Sequence, residues 1–137
     1  MGRRLFVAKA RNDTELNAAF SSLLRERVTA LHVAASPYFD SRRERIIAFA
    51  EQNRLPADYP SRDYAVAGGL VSYGPSFSEA YRNAGVYAGR IIKGEKPTDL
   101  PVVQSTTFDF VINLSTAKAL GLPLPPMLLA RADDVIE

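Results

Sequence analysis

Cysteine and tryptophan are absent from the 137-residue sequence, and histidine occurs once, at His32. Without cysteine the chain can form no disulfide, no cysteine-ligated zinc site and no thiol nucleophile. A single histidine also excludes a metal site built from several histidines. Asp133 and Asp134 form an acidic pair, but no histidine or cysteine accompanies them. We therefore expect neither a metal nor a cofactor.

Long apolar runs are also missing. No run approaches the roughly 18 residues that a membrane-spanning helix needs. Near the first residue, Arg3, Arg4 and Lys9 place charges where the apolar core of a signal peptide would have to form. The chain as written is therefore expected to carry no export signal and to remain in the cytoplasm.

Sequence signatures of catalysis are not found either. The chain has no Gly-x-Ser-x-Gly elbow, no Walker sequence and no Gly-x-Gly-x-x-Gly after a predicted strand. A Ser–His–Asp hydrolase would have to use His32, which lies in an apolar run and is more typical of a structural residue. We expect the protein not to be an enzyme.

The charge balance is close to neutral, with 17 basic and 15 acidic residues and a formal net charge of +2. The isoelectric point is about 9.0. Arg3, Arg4, Lys9 and Arg11 form a local basic cluster, but a nucleic-acid interface needs clustered phosphate contacts and salt-sensitive binding. No nucleic-acid partner is expected.

Apolar periodicity predicts an α/β fold. The length suits one domain with a core. Predicted strands lie at 5–10, 30–35, 57–59 and 70–73. Helical spacing follows the first two, beginning at Asn12 or Asp13 and at about Ser41 and ending before Pro56. Short connections between these elements favour parallel βαβ units, and hence an open, mostly parallel sheet with flanking helices.

The second half of the chain continues this pattern. A helix is predicted from 77 to 93, with Ser76 as its N-cap and Gly94 as its C-cap. A strand is predicted at 108–114, then a short helix at 116–120 capped by Ser115. Residues 128–134 are predicted to form one last helical turn or two.

The stretch from Ala57 to Ser76 contains most of the turn chemistry. Gly68-Gly69 lies between two short apolar runs, 57–59 and 70–73, and Gly74-Pro75-Ser76 ends the second run. This pattern is typical both of a ligand-facing loop on a rigid scaffold and of an ordinary double turn.

Several segments, in the right order, resemble the ABC-transporter substrate-binding proteins of the tryptophan-binding, type I periplasmic class. They are Ser41–Ile46, Arg54–Ala57, Ala67–Pro75, Gly89–Gly94, Leu100–Val102, Val111–Leu122 and Leu128–Asp133.

This resemblance implies two α/β lobes that close on a small solute, an ABC permease as partner, and a periplasmic or lipid-anchored location. Family members are about twice as long. The resemblance therefore implies that residues 1–137 form a single domain, equivalent to the second lobe without its first strand and helix, plus the C-terminal crossover segments.

The missing first strand has a physical consequence. In a doubly wound lobe this strand is central, so the runs at 5–10 and 30–35 would lose their shared neighbour. Unpaired backbone and apolar surface would then favour self-association, and we expect a homodimer.

The resemblance also implies a solute site at the carboxyl ends of the strands. Its predicted residues are Ser36, Pro37, Tyr38, Tyr64, Gly68, Gly69, Ser72 and Tyr73. An amino acid, aromatic or branched, is the implied solute.

The sequence departs from the family pattern at two positions. Ser36 stands where the family commonly has Asp. Asp58 falls in a normally apolar strand, and we therefore expect that strand to be exposed or altered. The alternative is a non-enzymatic, oligomeric α/β module with no ligand of its own.

Overall fold

The computed structural model describes residues 4–103 and 106–137. Its centre is a five-stranded sheet in the order β1-β2-β3-β4-β5. The strands are β1 (Leu31–His32), β2 (Ala57–Tyr59), β3 (Val71–Pro75), β4 (Phe108–Asn113) and β5 (Asp134–Ile136). Only the β3–β4 pair is antiparallel among these strands. The predicted α/β fold with a mostly parallel sheet is confirmed.

Helices connect and flank these strands. They are α1 (Asp13–Arg25), α2 (Pro37–Asp40), α3 (Arg43–Gln52), α4 (Arg62–Val66), α5 (Phe77–Ile92), α6 (Leu114–Ala119) and α7 (Pro126–Leu129), with a 3-10 turn at Pro97–Asp99. Helix α1 starts where its capping sequence predicts. The Asn12 side chain accepts a hydrogen bond from the backbone N–H of Glu15 at 2.9 Å.

Buried side chains lie on both faces of the sheet, since the neighbouring β4 residues Val111 and Ile112 are 0% and 1% exposed. Tyr59, Ser72 and Val111 are aligned across β2, β3 and β4, and each is at most 1% exposed. On the helical side, the rings of Phe20 in α1 and Phe49 in α3 stack with their centroids 4.1 Å apart. The apolar spacing of α1 and α3 is therefore explained by a shared core.

Gly74 shows how closely β3 approaches the end of β2. A Cβ atom at this position would lie 1.8 Å from the carbonyl oxygen of Pro60. A residue with a side chain cannot be accommodated here unless the two segments separate. The glycine serves backbone packing.

The predicted strand at 5–10 is wrong, because residues 4–10 belong to no strand. The segment still alternates as a strand would. Phe6, Ala8 and Ala10 pack against the core, whereas Leu5 is 84% and Val7 64% exposed. Within the described part of the chain, no backbone–backbone hydrogen bond joins this segment to a neighbour. A strand requires such a neighbour, and apolar alternation alone does not supply one.

The last helical turn, predicted at 128–134, is present but displaced to Pro126–Leu129. Helix α7 ends at Leu129, and β5 begins at Asp134 beside β4. The pairing is anchored by two hydrogen bonds: the Asp133 N–H donates to the Phe110 carbonyl at 2.8 Å, and the Phe110 N–H donates to the Asp133 carboxylate at 2.7 Å. Strand β5 has only three residues and forms by pairing with a distant segment, so the sequence shows no apolar alternation that would predict it.

Capping differs from prediction at two helices. Asn113, rather than Ser115, caps α6, since its side chain accepts the Thr116 N–H at 3.0 Å. Ser76 occupies the N-cap position of α5, but its side chain makes no capping bond. Helices α2 and α4 lie where only breaks and turns were predicted.

Candidate functional site

The carboxyl ends of β1, β2 and β3 meet at one edge of the sheet because these strands are parallel. At this edge Ser36, Ser61 and Ser76 precede α2, α4 and α5, respectively. In open α/β sheets, ligands bind outside the carboxyl ends of the strands. We call this region the carboxyl edge.

A charged cluster lies at the carboxyl edge around Asp13. Its carboxylate accepts hydrogen bonds from the Tyr38 hydroxyl at 2.7 Å and from the Arg42 Nε at 2.8 Å. Arg45 approaches the same carboxylate at 3.2 Å. The hydrogen bonds from Arg42 and Tyr38 lower the pKa of Asp13 to about 2. Asp13 is therefore ionised at neutral pH, and its charge is already balanced by protein groups.

A second group lies beside this cluster. The Tyr64 hydroxyl donates a hydrogen bond to the Asp40 carboxylate at 3.0 Å, and its ring stacks on Tyr59 with centroids 4.9 Å apart. Burial, followed by the bond to Asp40, raises the pKa of Tyr64. Arg43 is near enough to oppose that shift. Its guanidinium makes no ion pair or hydrogen bond within residues 4–103 and 106–137, so it remains available to an anion.

The structure brings together only part of the predicted ligand-binding set. Ser36, Pro37 and Tyr38 lie at the carboxyl edge. Tyr64 lies next to it but is only 1% exposed. Its ring therefore cannot stack on a solute in this conformation.

The other four predicted residues lie elsewhere. Gly68 and Gly69 lie at the amino end of β3, because α4 carries the chain back across the sheet. Gly68 lines a separate cavity of about 390 Å³ there. Ser72 is buried in mid-strand, and Tyr73 projects from the opposite face, where its ring stacks on Phe108 at 5.5 Å. Ligand contact at any of the eight residues stays a prediction.

Sequence reasoning missed Arg43 and the role of Asp40. Arg43 lies in the run Arg42-Arg43-Glu44-Arg45, which is typical of a solvated helix face. Asp40 has the residue type and position of a helix cap. Which arginine is left unpaired depends on the position of Asp13, about thirty residues earlier in the chain, and no local pattern reveals it.

A larger depression, which we call the edge groove, lies between residues 4–10 and 29–34. Its volume is about 900 Å³, and Leu16, Phe20 and Leu23 line it between the two walls. Asp58 lies at this groove and pairs with His32, whose Nδ1 is 2.7 Å from the carboxylate. The strand around Asp58 was expected to be exposed or altered, but only Asp58 itself is open, with its side chain 47% exposed, whereas Ala57 and Tyr59 are 3% and 1% exposed.

No group of three or more histidine, cysteine, aspartate or glutamate side chains is placed to hold a metal ion in residues 4–103 and 106–137. Over the same residues, no helix is long and apolar enough to cross a membrane.

An open, mostly parallel sheet with polar loops at its carboxyl edge is an architecture of solute-binding domains. The model of the ABC transporter substrate binding protein family matches residues 1–136. The chain belongs to this family, and the resemblance found in the sequence is confirmed. No curated protein matches the chain.

Solved structures share the fold. A conserved domain protein from Vibrio cholerae O1 biovar El Tor is 24% identical, with a TM-score of 0.79 over 89% of this chain and 41% of its own. An ABC domain from Streptococcus pneumoniae in complex with L-Trp is 24% identical, with a TM-score of 0.79 over 90% and 42%. A ligand-free, open substrate binding protein with adhesive properties from Clostridium difficile is 23% identical, with a TM-score of 0.59 over 93% and 42%.

The chain thus spans about two fifths of the length of these structures. Its family consists of proteins that bind small solutes and work with ABC transporters, usually outside the cytoplasm.

Proposed function

We propose that the chain is the solute-binding component of an ABC importer, or the part of one that forms the second lobe, and that it binds a small solute such as an amino acid. The family match over residues 1–136 carries this proposal. The neighbour with L-Trp bound supports an amino acid as the solute class. The ABC permease would be the partner, and the chain would be periplasmic or lipid-anchored.

The carboxyl edge is the proposed contact surface. The Ser36 hydroxyl is half-buried and makes no hydrogen bond to the described residues, so it can accept from an ammonium group or donate to a carboxylate. The unpaired Arg43 guanidinium provides a cation for a carboxylate. Pro37 and Tyr38 supply apolar surface between them. Asp13 and Arg42 neutralise each other and serve to hold Tyr38 in place.

One lobe offers only one wall of a cleft. A solute pocket normally buries 70–90% of a ligand's surface, and one wall covers roughly half of that. If a two-walled cleft binds at about 1 µM, half of the binding free energy corresponds to a Kd of about 1 mM. Weak binding is therefore the expected result for this chain alone.

The absence of tryptophan provides a direct assay. L-Trp can be titrated with protein while its indole emission is followed at wavelengths that do not excite tyrosine. Arg43→Gln and Ser36→Ala should each weaken binding about tenfold, since each removes one polar contact. Arg25→Gln is the matched control, because Arg25 is exposed at the far end of α1.

Other L-amino acids are then tested by competition. Binding that Arg43→Gln and Arg25→Gln weaken equally would place the solute elsewhere. Failure of every amino acid to bind at 10 mM, about ten times the expected Kd, would refute the proposed solute class. Chromatography should recover the solute unchanged, as expected of a binding protein rather than an enzyme.

A second candidate function is a non-enzymatic, oligomeric α/β module without its own ligand. The exposed apolar side chains favour it: Val102 is 101%, Ile92 85% and Tyr81 77% exposed. In both readings we propose that the chain forms a homodimer, because such surfaces favour association. Light scattering on a sizing column measures the mass, and a stable monomer at micromolar concentration would contradict dimer formation.

A further inference from the structure

We infer that two copies of the chain pair through the edge groove, each inserting its residues 4–10 into the groove of the other, so that one continuous sheet runs through both molecules. This inference identifies the interface of the homodimer proposed above and rests on that proposal. It is independent of solute binding.

One wall of the groove is the free edge of β1. The Leu31 N–H donates to the Pro56 carbonyl at 2.9 Å, and the Val33 N–H donates to the Asp58 carbonyl at 3.0 Å. Alternate residues of a strand direct their N–H groups to opposite edges, so His32 directs its N–H away from β2 and toward the groove. Strand β1 ends the sheet of the described residues. Its outer edge is therefore a template for another strand.

The other wall is the segment 4–10. It alternates as a strand does, with Phe6 and Ala8 against the core and Leu5 and Val7 exposed. Its backbone makes no backbone–backbone hydrogen bond to any described residue. Two strand-like edges with unused hydrogen-bonding groups thus face one space.

That space has the volume of one short strand. A residue in a sheet occupies about 4.8 Å between strands, about 10 Å between packed layers and about 3.3 Å along the chain, or about 160 Å³ in all. The groove of about 900 Å³ then holds about five or six residues. Its apolar floor, with Leu16 and Phe20, suits a strand whose inward side chains are also apolar.

Segment 4–10 of a second copy satisfies both walls at once. With a two-fold axis perpendicular to the sheet, the strand order becomes β1, the partner's 4–10, this copy's 4–10, and the partner's β1. Each segment is both a wall of its own groove and the occupant of the other groove. The contact is the same on both copies and closes at two, so neither groove is left open to bind a third copy.

Alternation restricts the register of the central antiparallel pair. Residues directly opposite each other must project from the same face, so the two residue numbers must add up to an even number. Val7 is the middle of 4–10, and centring the axis there places Val7 opposite the partner's Val7 and Leu5 opposite the partner's Lys9. Phe6 then faces the partner's Ala8 over the two apolar floors.

This register can be tested by crosslinking, because the chain has no cysteine of its own. Val7→Cys places two thiols across the axis, where opposite Cβ atoms lie about 4.5–5.5 Å apart and small adjustments permit a disulfide. Leu5→Cys is the matched control on the same face of the same segment. Its two thiols would be offset by four residues, about 13 Å along the strands. Under mild oxidation, Val7→Cys should form covalent dimer at least about ten times faster than Leu5→Cys.

A second measurement does not depend on oxidation. The wild-type chain should run at twice its mass of 15.0 kDa in light scattering. Val7→Asp places like charges opposite each other across the interface and should weaken the dimer about a hundredfold, while the monomer should tolerate a side chain that is already 64% exposed. Leu24→Asp is the control, since Leu24 is 47% exposed on α1 and should remain dimeric.

The outcomes separate the two levels of the proposal. A dimer that Val7→Asp leaves intact, or equal crosslinking of both cysteine variants, overturns this interface but not dimer formation. A monomeric wild-type chain overturns both. A monomer whose His32 amide is protected from hydrogen exchange would show that the chain's own residues fill the groove, and this would also overturn the exchange between copies.

Discussion

Replacing Ser72 by alanine should stabilise the protein. Ser72 is fully buried in β3, and its Oγ has no hydrogen-bond partner among residues 4–103 and 106–137. A hydroxyl buried without a partner costs about 1–3 kcal/mol. Alanine removes that penalty but leaves a small void and loses some van der Waals contact. The expected net gain in the free energy of unfolding is about 1 kcal/mol.

Thermal unfolding at a fixed protein concentration measures this gain. For 137 residues, the unfolding entropy is about 0.29 kcal/mol/K, so 1 kcal/mol corresponds to an increase in Tm of about 3–4 °C. Chemical denaturation should show a higher midpoint with an unchanged slope.

Ser76→Ala is the matched control. Ser76 is almost as deeply buried, at 4% exposure, but its Oγ lies 3.0 Å from the Oγ of Ser78. Its removal should lower the free energy of unfolding by about 0.5–1.5 kcal/mol. A lower Tm for both variants would show that the Ser72 hydroxyl does have a favourable partner, and would refute the argument.

Three further predictions follow from the geometry. Gly74→Ala should lower the free energy of unfolding by at least about 3 kcal/mol, because its Cβ would lie 1.8 Å from a carbonyl oxygen. In denaturant titrations, the control Gly85→Ala, whose Cβ would have nothing within 4 Å, should be neutral or stabilise the protein by up to about 1 kcal/mol. The pKa of Asp13 is about 2 in the folded protein and about 4 in the unfolded chain, so the stabilisation by its carboxylate is present above pH 4 and is lost as pH falls toward 2. Asp13→Asn should flatten the dependence of the free energy of unfolding on pH between 4 and 2, and an unchanged slope would contradict this. Tyr64→Phe leaves the Asp40 carboxylate without its 3.0 Å bond and should lower the free energy of unfolding by about 1 kcal/mol in urea titrations; equal stability would show that water replaces the hydroxyl.

The fold was predictable where its signals are local. Helix α5 follows from the apolar spacing between Phe77 and Ile92 and from Gly94, which adopts the positive φ that a helix C-terminus favours. Strand β4 follows from its apolar and β-branched residues, although its burial increases from Phe108 to Asn113 instead of alternating. Family resemblance added the class of binding protein, which residue patterns alone did not supply.

Features that depend on distant partners could not be predicted. Strand β5 exists because Asp133 reaches Phe110 on β4. Segment 4–10 has the pattern of a strand but lacks a neighbour in the described structure. At the site, Gly68 and Gly69 were assigned to the wrong edge because α4, a helix of five residues, is too short to show a period. Its presence reverses the direction of the chain.

Helix α5 has 16 residues, and none of them is buried. An isolated helix of this length is only marginally stable in water, so its folding is not strongly coupled to that of the sheet. Its amides should exchange with solvent by local fraying, well before those of β3 and β4. A surface that covers the apolar side chains of α5, such as Tyr81 and Ile92, would slow this exchange and raise the helical content together. Slower amide hydrogen exchange within α5 would therefore indicate that a partner has bound to this helix, even when the exchange rates of the sheet do not change.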